Sequence, residues 1–291
     1  MEDGSGIRSV VFFKGCPLRC VFCQNPETHS REAEIAFSPQ ECIRCGTCVK
    51  VCSQGAIDLD FPGHIRRDRC IRCGACAAAC PGRGSRVIGK YYPPEALAEI
   101  LLRDLPFYRP SGGGVTLSGG EATLYPDYLE SLLALLKHCQ VHVALQTCGF
   151  FDYAPFAQQV LPYLDVIYYD IKVVDANAHR MHTGRDNRRI LDNFIRLVRE
   201  DRVPVHARVP LVPDITDGWE NLAAIVEFLR MAGAQDVALL PYNPLGTVMA
   251  ACLGRPRPPI PVTFMNPEKE KGVYDGFEKL LAEKGRGRQA V

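Results

Sequence analysis

The chain has 291 residues, 47% of them hydrophobic, with 34 Lys and Arg against 33 Asp and Glu. This is enough apolar residue for one large domain, or one carrying a small insertion, and it excludes a disordered or fibrous chain. A net charge of +1 supplies no global field for nucleic acid, no window approaches ~18 consecutive apolar residues, and the opening MEDGSGIRS lacks the regions of a signal peptide. A cytoplasmic monomer without nucleic-acid or membrane partners is the expectation.

In chain order, short apolar runs at 10–13, 115–117, 141–145, 166–169, 205–209 and 237–240 predict buried strands. Helical patterns fall between most of them, at 94–105, 128–137, 155–161, 189–200 and 220–232. Pro94 suits a first turn, and Leu222, Val226 and Leu229 share one face. Strand alternating with helix predicts an α/β fold on a parallel sheet. About six units are too few for the eightfold closed form, so a partial (β/α)6 TIM-like barrel is expected.

Fourteen cysteines are too many for packing in a reducing compartment, and 11 of them fall between Cys16 and Cys80. Two runs, CIRCGTCVKVC from Cys42 and CIRCGACAAAC from Cys70, are an internal repeat that also matches at Ile43/Ile71, Arg44/Arg72 and Gly46/Gly74. The spacing C-x2-C-x2-C-x3-C fits a four-iron cube, with the fourth thiolate of each run ligating the other cluster. Cys42, Cys45 and Cys48 are therefore paired with Cys80, and Cys70, Cys73 and Cys76 with Cys52. Pro81 follows Cys80 as in bacterial ferredoxins, whereas Ser53 follows Cys52. Structural zinc is the alternative, but it usually takes separated pairs of ligands. The organisation expected is residues 1–36 as the first part of the barrel, 37–90 as a ferredoxin-like insert with two [4Fe-4S] clusters, and 91–291 as the rest, ending in a helix and tail.

The remaining group, Cys16, Cys20 and Cys23, has the spacing C-x3-C-x2-C, with no fourth ligand before the insert. Three thiolates on a four-iron cube leave one iron open to an exogenous ligand, which an active site needs and an electron carrier does not. A zinc knuckle completed by His29 or His64 is the competing reading. Together with the insert, three [4Fe-4S] clusters are expected.

Each predicted strand is followed by a polar or Gly-rich peptide: the three-Cys loop, SGGE at 118–121, QTCG at 146–149, DIK at 170–172, Arg208 within RVPLVP, and Asn243 within PYNPLG. In a parallel barrel these share the C-terminal rim and converge on one pocket. Gly119 and Gly120 allow close backbone approach, and Glu121 could accept from a ligand ammonium. Lys172 could neutralise a carboxylate, with Asp170 holding a ribose or the lysine; a plain surface ion pair is the alternative. Arg208, set among apolar residues, needs a bound anion or a buried partner. His179 and His182 read as packing or capping residues of a loop, and Cys139, Cys148 and Cys252 as buried thiols.

The C-x3-C-x2-C loop with Phe22 before its last cysteine resembles the radical S-adenosylmethionine superfamily, whose open iron chelates the methionine moiety. More narrowly, DGSGIR, FFKGCPLRCVFCQNPE, SGGE, DIK, HRMHTG, RVPLVP and LLPYNPLG resemble the glycyl radical enzyme activating enzymes over nearly the whole chain. That resemblance implies S-adenosylmethionine contacts from Phe22, Cys23, Gln24, Gly119, Gly120, Glu121, Gln146, Asp170, Ile171, Lys172, Arg208 and Asn243. It makes Cys16, Cys20, Cys23, Lys172 and Arg208 the catalytic set. The implied activity is reductive cleavage of S-adenosylmethionine to methionine and a 5′-deoxyadenosyl radical, which takes hydrogen from a glycine of a partner glycyl radical enzyme. Departures are Ser5 for Pro, Ala122 for Pro, Gln146 where an acidic residue is frequent, and Asn243 for His. Relatives usually carry a further strand-forming stretch ahead of DGSGIR, which leaves truncation of the N-terminus an open reading.

Residues 42–86 carry eight Lys and Arg against three Asp and Glu, a net +5 that leaves −4 elsewhere. A basic face there would steer an acidic flavodoxin or ferredoxin as electron donor. Two other functions share many of these residues: a radical enzyme acting on a different small molecule or peptide, and a non-catalytic iron–sulfur carrier.

Overall fold

The computed structural model describes residues 3–234, 236–256, 260–261 and 263–285. Six strands form one all-parallel sheet: β1 (Arg8–Phe13), β4 (Gly114–Gly119), β5 (His142–Thr147), β6 (Val166–Asp170), β7 (Val205–Pro210) and β8 (Val237–Leu240). They lie in that spatial order, and among the described residues β1 and β8 do not pair. The sheet is therefore open, and every predicted run occupies one of its strands. β2 (Glu34–Phe37) and β3 (Ser85–Ile88) form a separate antiparallel pair.

Alternation along the strands separates two faces. Val115, Leu117, Val143, Leu145, Ile167, Tyr169, Ala207 and Val209 are completely buried. They pack with Leu129, Leu132, Leu133 and Leu136 of one covering helix and Leu222, Ile225, Val226 and Leu229 of another. The opposite face carries Thr116, Ser118, Gln146, Tyr168, Asp170 and Arg208. A closed barrel would fill that interior with branched apolar side chains; here it is polar.

The helices, in chain order, are α1 (Thr47–Val51), α2 (Ala75–Ala78), α3 (Pro94–Leu102), α4 (Leu105–Ser111), α5 (Pro126–His138), α6 (Tyr153–Pro155), α7 (Ala176–Thr183), α8 (Arg188–Glu200), α9 (Trp219–Ala232), α10 (Gly246–Cys252) and α11 (Pro267–Gly285). The single helix expected over 94–105 is two, because Pro106 opens a new first turn after Asp104. The segment expected at 155–161 begins in α6, widens to a π-turn over 156–160, and closes as a 3₁₀ turn at Leu161–Tyr163, where Pro162 removes a donor. The HRMHTG peptide, read as a loop, lies in α7. Asp175 caps that helix by accepting from Ala178 N at 2.7 Å.

The duplicated cysteine runs repeat in backbone conformation. Arg44 and Arg72 both take left-handed φ, 53° and 58°, and each precedes a short helix, α1 or α2. Their surroundings have a core of their own, Ile35, Phe37, Ile57, Ile65 and Cys76. The division expected after residue 36 falls inside β2, which among the described residues pairs with β3 alone. Glu34 of β2 joins this unit to the main sheet: it pairs with Lys14 at 3.1 Å and Arg255 at 2.9 Å. Arg67 adds bonds to the carbonyls of Ile35 and Cys252.

Candidate functional site

Parallel strands bring their C-terminal ends to one edge, and the loop after β1 curls across it. That loop is fixed by backbone bonds from both sides. Gly15 N donates to Thr28 O at 2.6 Å, while Arg19 N and Val21 N donate to the carbonyls of Thr183 and His182 at 2.8 and 2.9 Å. The C-terminal end of α7 thus clamps the three-Cys loop. His179, 1% exposed, supports that end through Thr183 Oγ1 and the Arg185 carbonyl. This is the packing role read for it, on a helix in place of the expected loop.

Gly119 and Gly120 admit the loop at close range. A Cβ on Gly119 would meet Phe13 N at 2.3 Å, and one on Gly120 would meet Gly15 O at 2.2 Å. The space is taken by Gly120 N donating to Phe13 O and Glu121 N to Gly15 O, at 2.9 and 2.8 Å.

Between loop and rim lies a cavity of about 160 Å³. Its wall brings together Cys16, Cys20, Phe22, Cys23 and Gln24 of the loop with Gly119, Gly120, Gln146, Asp170, Lys172 and Arg208 of the sheet. A second cavity, about 350 Å³, adjoins it across Cys20, Phe22, Cys23 and Tyr242 and includes Asn243 and His29. Phe22 is buried against Tyr242 and Val212.

Three of the expected ligand contacts are not on the first cavity's wall: Asn243 lines the second, and Ile171 and Glu121 are each 1% exposed. The Glu121 carboxylate is occupied by protein. It accepts from Thr123 Oγ1 at 2.7 Å, Thr147 Oγ1 at 2.9 Å and Cys148 N at 2.8 Å. The glutamate thus ties the SGGE turn to the QTCG turn. Gln146 bridges Ser118 Oγ at 2.6 Å and Asp3 at 2.9 Å, which brings the N-terminal DGSGIR segment onto the inner face.

Asp170 and Arg208 are directly opposite each other in the β6–β7 register. Lys172 Nζ lies 3.0 Å from Asp170 Oδ2, and Arg208 Nε lies 3.5 Å from Oδ1. The Lys172 and Arg208 side chains are each 10% exposed and Asp170 27%, so this is a largely enclosed triad and not a surface pair. Burial pushes the Asp170 carboxyl up, but the two cations outweigh it and hold it below the usual carboxylate range. Burial likewise opposes the Lys172 ammonium, which Asp170 keeps above its ordinary value. Two cations share one carboxylate, leaving an excess positive charge on the cavity wall.

The insert cysteines gather on two further cavities. Cys42, Cys45, Cys48 and Cys80 line one, and Cys52, Cys70, Cys73 and Cys76 line the other. None of the 14 cysteines is in a disulfide. Among the described residues no three His, Cys, Asp or Glu side chains gather as a single metal ion would require. Four thiolates spaced around a cavity suit a cube.

Cys148, expected as a buried thiol, is buried and lines the first cavity together with Cys16. Tyr242, Ser118 and Thr147 are among the other wall residues that the sequence did not single out. Their adjacency to named motifs in PYNPLG, SGGE and QTCG was the available signal.

A parallel α/β sheet with a three-cysteine loop over its rim defines an iron–sulfur radical enzyme, and comparison with known proteins agrees. The model of the radical SAM superfamily matches residues 67–229, and that of the 4Fe-4S dicluster domain residues 41–83. Isethionate sulfite-lyase activating enzyme of Desulfovibrio desulfuricans is 38% identical over 286 residues, covering 96% of this chain and 90% of that protein. Choline trimethylamine-lyase activating enzyme of Oleidesulfovibrio alaskensis is 37% identical (84% and 81% covered), as is trans-4-hydroxy-L-proline dehydratase activating enzyme of Clostridioides difficile (84% and 82%). Among solved structures, Streptococcus suis SuiB bound to S-adenosylmethionine superposes with a TM-score of 0.60 at 11% identity, over 96% of this chain and 48% of that one. It is a likeness of fold. The chain belongs to the radical S-adenosylmethionine superfamily and, within it, to the activating enzymes of glycyl radical enzymes.

Proposed function

We propose that the two adjoining cavities bind one S-adenosylmethionine beside a cluster held by Cys16, Cys20 and Cys23. The residues present suit that group. The excess charge of Lys172 and Arg208 over Asp170 matches a carboxylate, and the backbone at Gly119 and Gly120 lies open beside it. Phe22 and Tyr242 offer aromatic faces to an adenine, and Asn243 a hydrogen-bonding edge. With cluster and cofactor bound, one-electron reductive cleavage supplies methionine and a 5′-deoxyadenosyl radical. Lys172, Arg208 and the loop of Cys16, Cys20 and Cys23 would hold that cofactor beside the cluster. The partner substrate is a glycine of a glycyl radical enzyme, whose peptide would enter over the open polar face and seal it.

The remaining architecture follows the same reading. The open sheet, with β8 unpaired to β1, supports a partial (β/α)6 TIM-like barrel. Its ferredoxin-like insert, expected at 37–90, already holds β3 and is better drawn from residue 34, so that β2 is not cut from its partner. The two four-cysteine cavities support two further [4Fe-4S] clusters, three in all. A flavodoxin or ferredoxin would deliver electrons at the insert. Its basic surplus is reduced by pairs of Arg44 with Asp60, Arg66 with Asp58, Arg72 with Glu32 and Arg86 with Glu41. Steering would therefore rest on exposed Lys50, Arg69 and Arg83. Cysteines given over to iron–sulfur clusters suit the reducing cytoplasm of an anaerobic cell, and no described helix is long and apolar enough to cross a membrane. A monomer is the working oligomeric state.

One observation carries the functional reading: three loop cysteines and an excess cation converge on one cavity at the strand ends. A carrier protein would leave both idle. Anaerobically reconstituted enzyme with dithionite should release 5′-deoxyadenosine and raise a glycine-centred EPR doublet on its partner. Full iron content without deoxyadenosine would overturn the assignment.

A further inference from the structure

The duplicated cysteine runs expose equivalent tips. Ile43 and Ile71, which match in the repeat, are 66% and 62% exposed, and each stands two residues ahead of an exposed cysteine, Cys45 or Cys73. The charges around the two tips differ. Arg83 follows Gly82, where a Cβ would meet Ile43 at 3.3 Å, and lies between Cys80 and Gly84 of the first tip's cavity. Lys50 stands one turn along α1 from Gly46, which lines the same cavity. Both cations are exposed, whereas Arg44 and Arg86 are paired with Asp60 and Glu41. At the second tip Arg72 pairs with Glu32, and Arg67 donates to the carbonyls of Ile35 and Cys252. Those bonds turn its arginines towards α10 and the segment before β2.

The two cavities are also ordered along β2. Glu34 is tied to Lys14 and Arg255, and Arg255 donates to Pro26 O just after the three-Cys loop. Ile35 lines the cavity of Cys52, Cys70, Cys73 and Cys76. Phe37, ~7 Å further along the strand, lines that of Cys42, Cys45, Cys48 and Cys80. Along β2 the first run's cavity is therefore the outer one.

We propose that the tip of Ile43, Lys50 and Arg83 is the docking surface of an acidic flavodoxin, which delivers electrons to the Cys42, Cys45, Cys48 and Cys80 end of the insert. This rests on the reading of the insert as two clusters served by a donor protein. A flavodoxin that presents the apolar edge of its flavin fits the surface, with Ile43 meeting that edge and the two cations meeting carboxylates around it. Its anionic hydroquinone gives up one electron and becomes the neutral semiquinone, and the cluster at that end takes the electron up with no proton transferred.

The test is stopped-flow mixing of flavodoxin hydroquinone with anaerobically reconstituted protein across an ionic-strength series, with calorimetry of oxidised flavodoxin binding. Wild type is compared with Ile43→Glu, its repeat counterpart Ile71→Glu, and Lys50→Glu combined with Arg83→Glu, with iron counted on each. At about 12 irons per chain, Ile43→Glu and the double variant should associate about tenfold to a hundredfold more slowly at low ionic strength, and the double variant's loss should shrink as salt is added. Ile71→Glu should match wild type. If Ile43→Glu fails to load iron, the double variant decides, since neither Lys50 nor Arg83 lines the cavity. A loss at Ile71→Glu as large as that at Ile43→Glu would overturn the inference, as would variants that all behave as wild type. A wild type that releases 5′-deoxyadenosine under dithionite but ignores flavodoxin would overturn the docking surface and leave the activity standing. Full iron without deoxyadenosine, at the expected ranking of variants, would remove the activity and support the docking surface.

Discussion

Lys172→Met tests the electrostatics of the cavity. In the structure Lys172 and Arg208 share the single carboxylate of Asp170 at 3.0 and 3.5 Å, and the Lys172 side chain is only 10% exposed. Methionine removes the excess charge but leaves the Asp170–Arg208 pair, so the strand ends keep a neutral contact. A full charge pair at ~4 Å is worth about 4 kcal/mol at an effective dielectric constant of ~20. Charged hydrogen bonds net about 1.5–3 kcal/mol once the water each partner gives up is counted. Loss of that contact weakens S-adenosylmethionine binding by about tenfold to a hundredfold. Lys172→Arg keeps the charge and should restore most of the affinity. The measurement is anaerobic equilibrium dialysis of S-adenosylmethionine on variants matched for iron content. Wild-type affinity in Lys172→Met would refute the claim that this cation neutralises the ligand's carboxylate.

Three further outcomes follow from particular contacts. A Cβ at Gly149, where φ is +78°, would lie 2.0 Å from the Tyr169 hydroxyl, which is buried and donates to Ile190 O at 2.6 Å. Gly149→Ala should therefore cost about 2–5 kcal/mol from left-handed strain and overpacking, whereas Gly233→Ala, at φ +84° with open space around it, costs about 1–2; equal thermal midpoints would contradict this. Burial, with Arg255 and Arg19 nearby, depresses His29 to about 4, against 6.5 for a free imidazole. Below about pH 6.5 the unfolded chain takes up a proton that the folded one refuses, so stability falls on acidification towards 4; His29→Gln should flatten the thermal midpoint over that range. The cysteine cross-pairing is tested by iron content: Cys45→Ala with Cys80→Ala should cost about four irons, because both line one cavity, whereas pairing within each run would cost about eight.

The six parallel strands were legible because strands covered by helices need continuous apolar runs on the helix face, as Val115, Leu117, Ile167 and Val209 show. β2 and β3 were not, because four residues such as EIAF carry too little alternation, and their partner lies about 50 residues away. The clamp by α7 was hidden by the polarity of HRMHTG, whose contribution is backbone carbonyls that no side-chain pattern reports. At the site, residue types and strand-end placement identified the cavity wall. They could not show that the Glu121 carboxylate accepts from Thr147 and Cys148, since the direction of a side chain after a turn depends on the turn's conformation. The spacing of the repeated runs pointed to the cross-pairing of the insert cysteines, and the two sets of four line separate cavities.

The central claim is that the cluster of Cys16, Cys20 and Cys23 presents one iron to S-adenosylmethionine. Electron–nuclear double resonance on the reduced enzyme with 15N-amino-labelled S-adenosylmethionine addresses it directly. The account predicts a nitrogen coupling of the size given by direct iron ligation, lost when Cys16, Cys20 and Cys23 are replaced while the insert's eight irons remain. A fully loaded enzyme that binds the cofactor without any such coupling would contradict it.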